Sequence, residues 1–106
     1  MNQRQLFEQP SPREAAWRKF HATNPGVFAM FERFALEALR NGARDRVGAR
    51  MVWERMRWET TIAPVDATSA WRLNDHHVPY YARLFMERHP RLGRVFEVRQ
   101  RSEKTS

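Results

Sequence analysis

Four consecutive polar residues, Asn74, Asp75, His76 and His77, hold the side chains with the greatest capacity for metal or acid–base chemistry. Imidazole and carboxylate groups are common metal ligands and proton carriers. However, adjacent histidines on a helix point about 100° apart, which is poor geometry for one ion. No His-x-x-x-His pair or second acidic cluster completes a site, and there is no cysteine to supply thiolates. We therefore predict no metal site and no cofactor, and we expect Asn74 and Asp75 to cap a helix.

Serine-based hydrolysis is equally unsupported by the sequence. Ser11, Ser69, Ser102 and Ser106 fall in predicted caps, loops or tails. No nucleophile elbow and no glycine-rich phosphate loop is present. We predict that the protein is not an enzyme.

Arginine is the residue type that most clearly suggests a partner. The 106-residue chain has 19 basic and 12 acidic residues, a net charge of +7, and 17 of the basic residues are arginine. A basic domain is typical of polyanion binders, and the arginine fork suits bidentate contacts with phosphate or guanine. A GC-rich genome also favours arginine codons without any functional demand. We favour nucleic acid, because positive charge is concentrated in residues 40–57 and 83–104, each with a net charge of +4.

The elements that would position these arginines are helices with marked ends. A capping box at Ser11–Glu14 predicts a helix over 12–22, and Asn24-Pro25 predicts the cap and first residue of a helix over 25–41. Gly42 has the place of a left-handed C-terminal residue. A third helix is predicted over 48–60, and a fourth over 77–89, where Pro79 must lie in the first turn and Pro90 ends the helix.

Hydrophobic periodicity assigns faces to these helices. Helix 25–41 has a stripe of phenylalanines that predicts a core face. Helix 48–60 has a main apolar face and a second one, Met51 with Trp58, so we expect it to pack against two different elements. In helix 77–89 one face is apolar and the opposite face has the polar or aromatic residues His76, Tyr80, Arg83 and Glu87.

A basic strand is predicted over 94–99, with Trp71–Leu73 as its partner. Three helices followed by a strand pair indicate a mainly α protein with a small β element, most similar to a winged helix-turn-helix. In such a fold, helix 77–89 enters the major groove and segment 94–101 follows phosphate. The predicted nucleic-acid-binding residues are His76, His77, Tyr80, Arg83, Arg91, Arg94, Arg99 and Arg101. Alternatively, these arginines form a solvated surface paired with Glu87, Glu97 and Glu103, and Glu87 would in any case repel phosphate.

The domain organisation is predicted to be simple. We expect a flexible arm over 1–10, one domain over 11–101 and a flexible tail over 102–106. The sequence has no apolar run typical of a signal peptide or a membrane span, so we predict a cytoplasmic location. A homodimer is plausible on this pattern, since Trp17 and Phe20 in the first helix would either form a dimer surface or cap the core.

Three stretches, FHATNPGVFAMFERFALEAL, WERMRWET and LNDHHVPYYARLFMERHP, together resemble small, mostly uncharacterised phage and prophage proteins with a winged-helix-like pattern. The resemblance covers about residues 20–100. That pattern has an Asn-Pro-led helix, an ERIRWE-like helix, a run of Asn residues and then YARLFM. This chain has Asn74–His77 in place of the Asn run. The resemblance implies a phage-like context, with no established activity or site residues to transfer.

These observations predict a non-enzymatic protein that binds double-stranded DNA and acts as a regulator of transcription or accessory factor. The alternative is a protein-interaction module that binds and modulates a host protein, because a basic surface also fits an acidic protein.

Overall fold

A computed structural model describes residues 9–42, 47–61 and 72–96. In these ranges the chain forms four α-helices: α1 (Pro12–Thr23), α2 (Pro25–Arg40), α3 (Ala49–Thr61) and α4 (Val78–Arg88). Short 3₁₀ turns, Asp75–His77 and Pro90–Leu92, precede and follow α4. The predicted mainly helical architecture is confirmed, and each predicted helix boundary lies within one residue of the observed one.

The ends of α1 and α2 follow from their capping residues, with one correction. The Ser11 hydroxyl accepts a hydrogen bond of 3.1 Å from the Glu14 backbone amide, as the capping box predicts. Asn24 does not cap α2 with its side chain; the Asn24 side-chain amide donates instead to the Phe20 carbonyl at 3.1 Å, closing the end of α1. Gly42 has φ 79°, the left-handed conformation predicted after α2.

One hydrophobic core joins the helices. The predicted phenylalanine stripe of α2 is buried, and so is the main apolar face of α3. Tyr81 and Phe85 of α4 are fully buried against them. Trp17 and Phe20 of α1 are partly buried on this core, so the first helix caps it.

The second apolar face of α3 does not pack as predicted. Met51 and Trp58 are 58% and 60% exposed. They lie seven residues apart, which places them on the same side of the helix two turns from each other. Helix α3 does contact two elements, α2 and α4, as expected, but Met51 and Trp58 do not form the second of these contacts.

The start and end of α4 are defined by local chemistry. The Asn74 side-chain carbonyl accepts a hydrogen bond of 2.9 Å from the backbone amide of His76, so Asn74 caps the 3₁₀ turn before α4. Helix α4 itself begins after His77 without a side-chain cap, and Asp75 binds Arg57 instead of capping. Pro79 lies in the first turn of α4, and Pro90 begins the 3₁₀ turn after its end. These two prolines therefore limit α4 to the segment that the sequence predicts.

The described residues include only part of the predicted β element, Arg72, Leu73 and 94–96, and the rest lies outside them. Trp71 and residues 97–101 fall there, as do 1–8 and the tail 102–106. No described residue belongs to a strand. Val95 and Phe96 are both buried, although neighbouring residues of a strand point to opposite faces. Among the described helices, none combines the length and apolarity needed to span a membrane.

Candidate functional site

The outer face of α4 and the turn that follows it form a basic surface. Arg83 on α4, Arg91 in the 3₁₀ turn and Arg94 beyond Gly93 are exposed, and His76 is exposed just before the helix. The opposite face of α4 is anchored by Tyr81 and Phe85, both at 0% exposure. Burial of that face leaves the arginine side directed to solvent.

Three side chains from α1 and α4 lie against one another at the edge of this surface. The Trp17 and Tyr80 rings are stacked, with centroids 5.4 Å apart and planes inclined by 19°. The Arg83 guanidinium carbon lies 5.7 Å from the centroid of the Tyr80 ring, within range of a cation–π contact. Tyr80 is half-buried as a result, whereas Arg83 stays exposed.

The charges of this surface are not neutralised by described acidic residues. Six of the seven acidic residues in the described ranges form ion pairs, all with residues other than Arg83, Arg91 and Arg94. The seventh, Glu87, forms no ion pair within that part of the chain. The described residues therefore include no ion pair between Glu87 and these arginines, which the alternative interpretation expected. Glu97 and Glu103 lie outside the described residues.

His77 does not belong to the exposed surface, so in this structure its side chain is not available for the predicted contact with nucleic acid. Its side chain is 7% exposed, and its ring centroid lies 4.8 Å from that of Phe20. Burial, together with the nearby His76, lowers the pKa of His77. The physical reason is the position of His77 four residues before the buried Tyr81, which places its side chain on the side of the helix that packs on the core, whereas His76 is exposed.

The remaining predicted residues divide between two groups. His76, Tyr80, Arg83, Arg91 and Arg94 lie along α4 and its flanking turns. Arg99 and Arg101 fall outside the described residues.

Sequence reasoning missed Arg88, which is exposed on α4 and lies with its guanidinium carbon 5.6 Å from the ring centroid of Phe28. In the sequence, only the charge of Arg88 and its position on the same helix indicated that it belongs to the basic surface.

Other titratable groups near α4 are structural. The Tyr81 hydroxyl lies 3.3 Å from Nδ1 of His21, and burial raises the pKa of Tyr81 well above its ordinary value. Burial, with Arg88 as a second cause, lowers the pKa of His21. No cluster of three or more potential metal ligands occurs in the ranges that the structure covers. At the end of α4, Nε2 of His89 lies 2.6 Å from the carboxylate of Glu32.

The segment before α4 is fixed to α3 by an ionic network. Arg57 donates to the Asp75 carboxylate at 2.6 Å and to the Leu73 carbonyl at 3.0 Å. Arg50 also reaches Asp75, at 3.2 Å. This network sets where α4 begins relative to the core.

No protein-family model, curated protein or solved structure matches this chain.

Proposed function

We propose that this protein binds double-stranded DNA without catalysing a reaction, as a phage- or prophage-type regulator or accessory factor. The observation that supports the proposal is the arrangement of Arg83, Arg91 and Arg94. All three are exposed along α4 and the turn after it, without an ion-pair partner among the described residues. Exposed arginines without ion-pair partners attract the phosphates of a duplex and release their counterions.

The proposed complex assigns different roles to different side chains. α4 lies in the major groove, where His76, Tyr80 and Arg83 contact base edges. Arg91 and Arg94 contact phosphate and set the position of the helix. In the winged-helix form of the proposal, segment 94–101 pairs with Trp71–Leu73, and Arg99 and Arg101 add further phosphate contacts.

Glu87 limits the surface that phosphate can approach. It is exposed on α4, one turn from Arg83. A carboxylate repels phosphate but accepts a hydrogen bond from cytosine N4. The proposal therefore places Glu87 toward bases, with the phosphate contacts at Arg91 and Arg94.

A second candidate function, a module that binds and modulates a host protein, is favoured by the exposed Met51 and Trp58 of α3. Tryptophan and methionine are enriched at protein interfaces, and both side chains are more than half exposed. Charged residues of the same helix, including Glu54 and Arg55, surround them. Such an apolar centre with a charged rim is typical of a protein contact.

Amide chemical-shift mapping with a ¹⁵N-labelled sample separates the two candidates. Addition of a mixed-sequence duplex is expected to shift amide signals of α4, Arg91 and Arg94, while those around Met51 and Trp58 stay in place. As a matched control, the same titration with Arg91→Gln should produce smaller shifts at equal duplex concentration. Shifts confined to α3, or none at any duplex concentration, would contradict the DNA proposal.

A further inference from the structure

We infer that Trp17 is a positioning residue for the base-contacting pair Tyr80 and Arg83. Trp17 lies on α1, which has no role in the DNA contact proposed above, and this inference rests on that proposed function. It assigns α1 a part in sequence discrimination: through Trp17, the first helix orders two side chains of α4 before DNA arrives.

The geometry links the three side chains in series. The Trp17 indole stacks on the Tyr80 ring at 5.4 Å, and Arg83 lies over that same ring at 5.7 Å. Tyr80 therefore has an aromatic neighbour from α1 and a cationic neighbour from its own helix. Arg83 has no other described ion pair or hydrogen bond that would fix its guanidinium.

Trp17 is itself well fixed, which a positioning residue requires. The rings of Trp17 and His21 are nearly parallel, with centroids 5.5 Å apart and an angle of 8°. The fully buried Tyr81 meets the indole edge-on at 5.6 Å. Through these contacts the indole is held against the buried face of α4. The core therefore fixes the position of Trp17, and Trp17 in turn fixes that of Tyr80 and Arg83.

The contribution of Trp17 to the core itself is limited. α1 contains no buried residue, and Trp17 is only partly buried on the surface of the core. A ring in this place does less to fill the interior than Phe31 or Phe85, both at 0% exposure. Its stacking on Tyr80 is therefore the contact most directly related to the outer face of α4.

Ordering of Tyr80 and Arg83 before binding should strengthen the contacts with bases more than the contacts with phosphates. A side chain that is ordered before binding loses less rotamer freedom in the complex, and its hydrogen bonds keep the geometry that distinguishes one base from another. Arg91 and Arg94 lie beyond the end of α4, and no described contact joins them to Trp17. Loss of the indole should therefore reduce sequence discrimination while the phosphate-dependent salt slope stays unchanged.

The free protein provides the first test. In Trp17→Ala, NMR should show averaged χ1 rotamers for Tyr80 and a shifted Arg83 Nε–Hε resonance. Trp17→Phe should restore most of both signals, because it retains a ring against Tyr80. Phe20→Ala is the matched control, since Phe20 lies on the same helix but contacts His77. Unchanged Tyr80 and Arg83 signals in Trp17→Ala, or equal changes in Phe20→Ala, would overturn the inference.

Duplex binding provides the second test, with the site selected by the wild-type protein and a scrambled duplex of equal length. The ratio of the two dissociation constants should fall by about fivefold or more in Trp17→Ala, the loss of roughly one base-specific contact. The salt slope should match that of the wild type, and Trp17→Phe should recover the ratio.

The outcomes of the binding test are distinguishable. An unchanged ratio in Trp17→Ala would overturn the positioning role and leave the proposed function intact. A parallel loss on both duplexes would show that Trp17 acts only through stability, and would also overturn the inference. If the wild type binds no duplex, the proposed function fails, and the role of Trp17 in DNA recognition fails with it.

Discussion

The guanidinium of Arg57 donates a hydrogen bond of 2.6 Å to the carboxylate of Asp75. Because Arg57 lies on α3 and Asp75 in the turn before α4, this contact joins two helices that are separated by sixteen residues in the sequence. Arg57 also binds Glu54 on its own helix at 2.7 Å. This junction holds the segment before α4 against α3, beside the core contacts of Tyr81 and Phe85.

Asp75→Asn should modestly lower the free energy of unfolding at pH 7 and reduce the loss of stability between pH 7 and pH 3. The hydrogen bond from Arg57 lowers the pKa of Asp75. The folded state is thus stabilised at pH above the unfolded value, near 3.8, and the contribution is lost as pH falls through the folded pKa. Because the carboxylate is 43% exposed, we expect about 1 kcal/mol or less at pH 7, measured by urea unfolding at pH 7 and pH 3.

Glu59→Gln is the matched control for Asp75→Asn, since Glu59 pairs with Arg55 within α3 and does not reach the turn before α4. Glu59→Gln should lower the free energy of unfolding by less than Asp75→Asn does. An equal loss of stability in both variants would show that the ion pair between α3 and the turn before α4 stabilises the protein no more than an ion pair within one helix.

Phe85→Ala should destabilise the protein by about 3–5 kcal/mol, as a large-to-small change in a filled core. Phe85 is fully buried and contacts the rings of Phe31 and Phe96. Denaturant unfolding measures the loss, and Met51→Ala, at an exposed position, should change stability by about 0.5 kcal/mol or less. A loss below about 1 kcal/mol in Phe85→Ala would contradict the orientation of α4.

Arg83→Ala should weaken duplex binding and leave the melting temperature nearly unchanged. Arg83 is exposed, and its described contact is with the Tyr80 ring. Arg13→Ala on α1 is the control, because Arg13 is also exposed but lies at the start of a different helix. Anisotropy titration and thermal unfolding of both variants give the comparison. A large fall in melting temperature for Arg83→Ala would identify Arg83 as structural.

Stability should fall as pH is lowered from 7.5 to 5.5. Burial lowers the pKa values of His21 and His77, so their neutral forms stabilise the folded state above the unfolded value of 6.5. That contribution is lost as pH falls toward the folded pKa values. His21 faces Arg88 and Tyr81, and His77 lies beside His76 and Phe20, so no described carboxylate compensates the added charge.

Urea unfolding of the wild type and of His77→Phe at both pH values measures this effect. The variant keeps a ring beside Phe20 and removes one titrating group, so it should lose less stability at pH 5.5. An equal change in stability between pH 7.5 and pH 5.5 in the wild type and in His77→Phe would contradict the assignment of His77 as buried and neutral.

The helices were predictable because their signals are local. Prolines 12, 25, 79 and 90 limit where helices begin or end, and apolar residues at helical spacing identify the faces that become buried. The burial of His77 could also have been predicted, because His77 lies four residues before Tyr81 and eight before Phe85, on the apolar side of the helix. The exposure of Met51 and Trp58 was not predictable, since periodicity identifies an apolar face without showing whether another element covers it.

The candidate site was predicted in part for the same reasons. Arg83 and His76 follow from the polar face of one helix. The stacking of Trp17 on Tyr80 and the pairing of Arg57 with Asp75 join residues that are distant in sequence. Such pairs depend on how the helices pack, so local patterns do not reveal them.

The most direct measurement of the central claim is a titration of a mixed-sequence DNA duplex by fluorescence anisotropy, at low and near-physiological salt. We expect binding whose log–log salt slope is several units, because each phosphate contact releases close to one counterion. Arg91 and Arg94 should account for part of that slope, which Arg91→Gln would reduce by about one unit. Absence of binding even at low salt would contradict the proposal and direct attention to protein partners of the Met51 and Trp58 face.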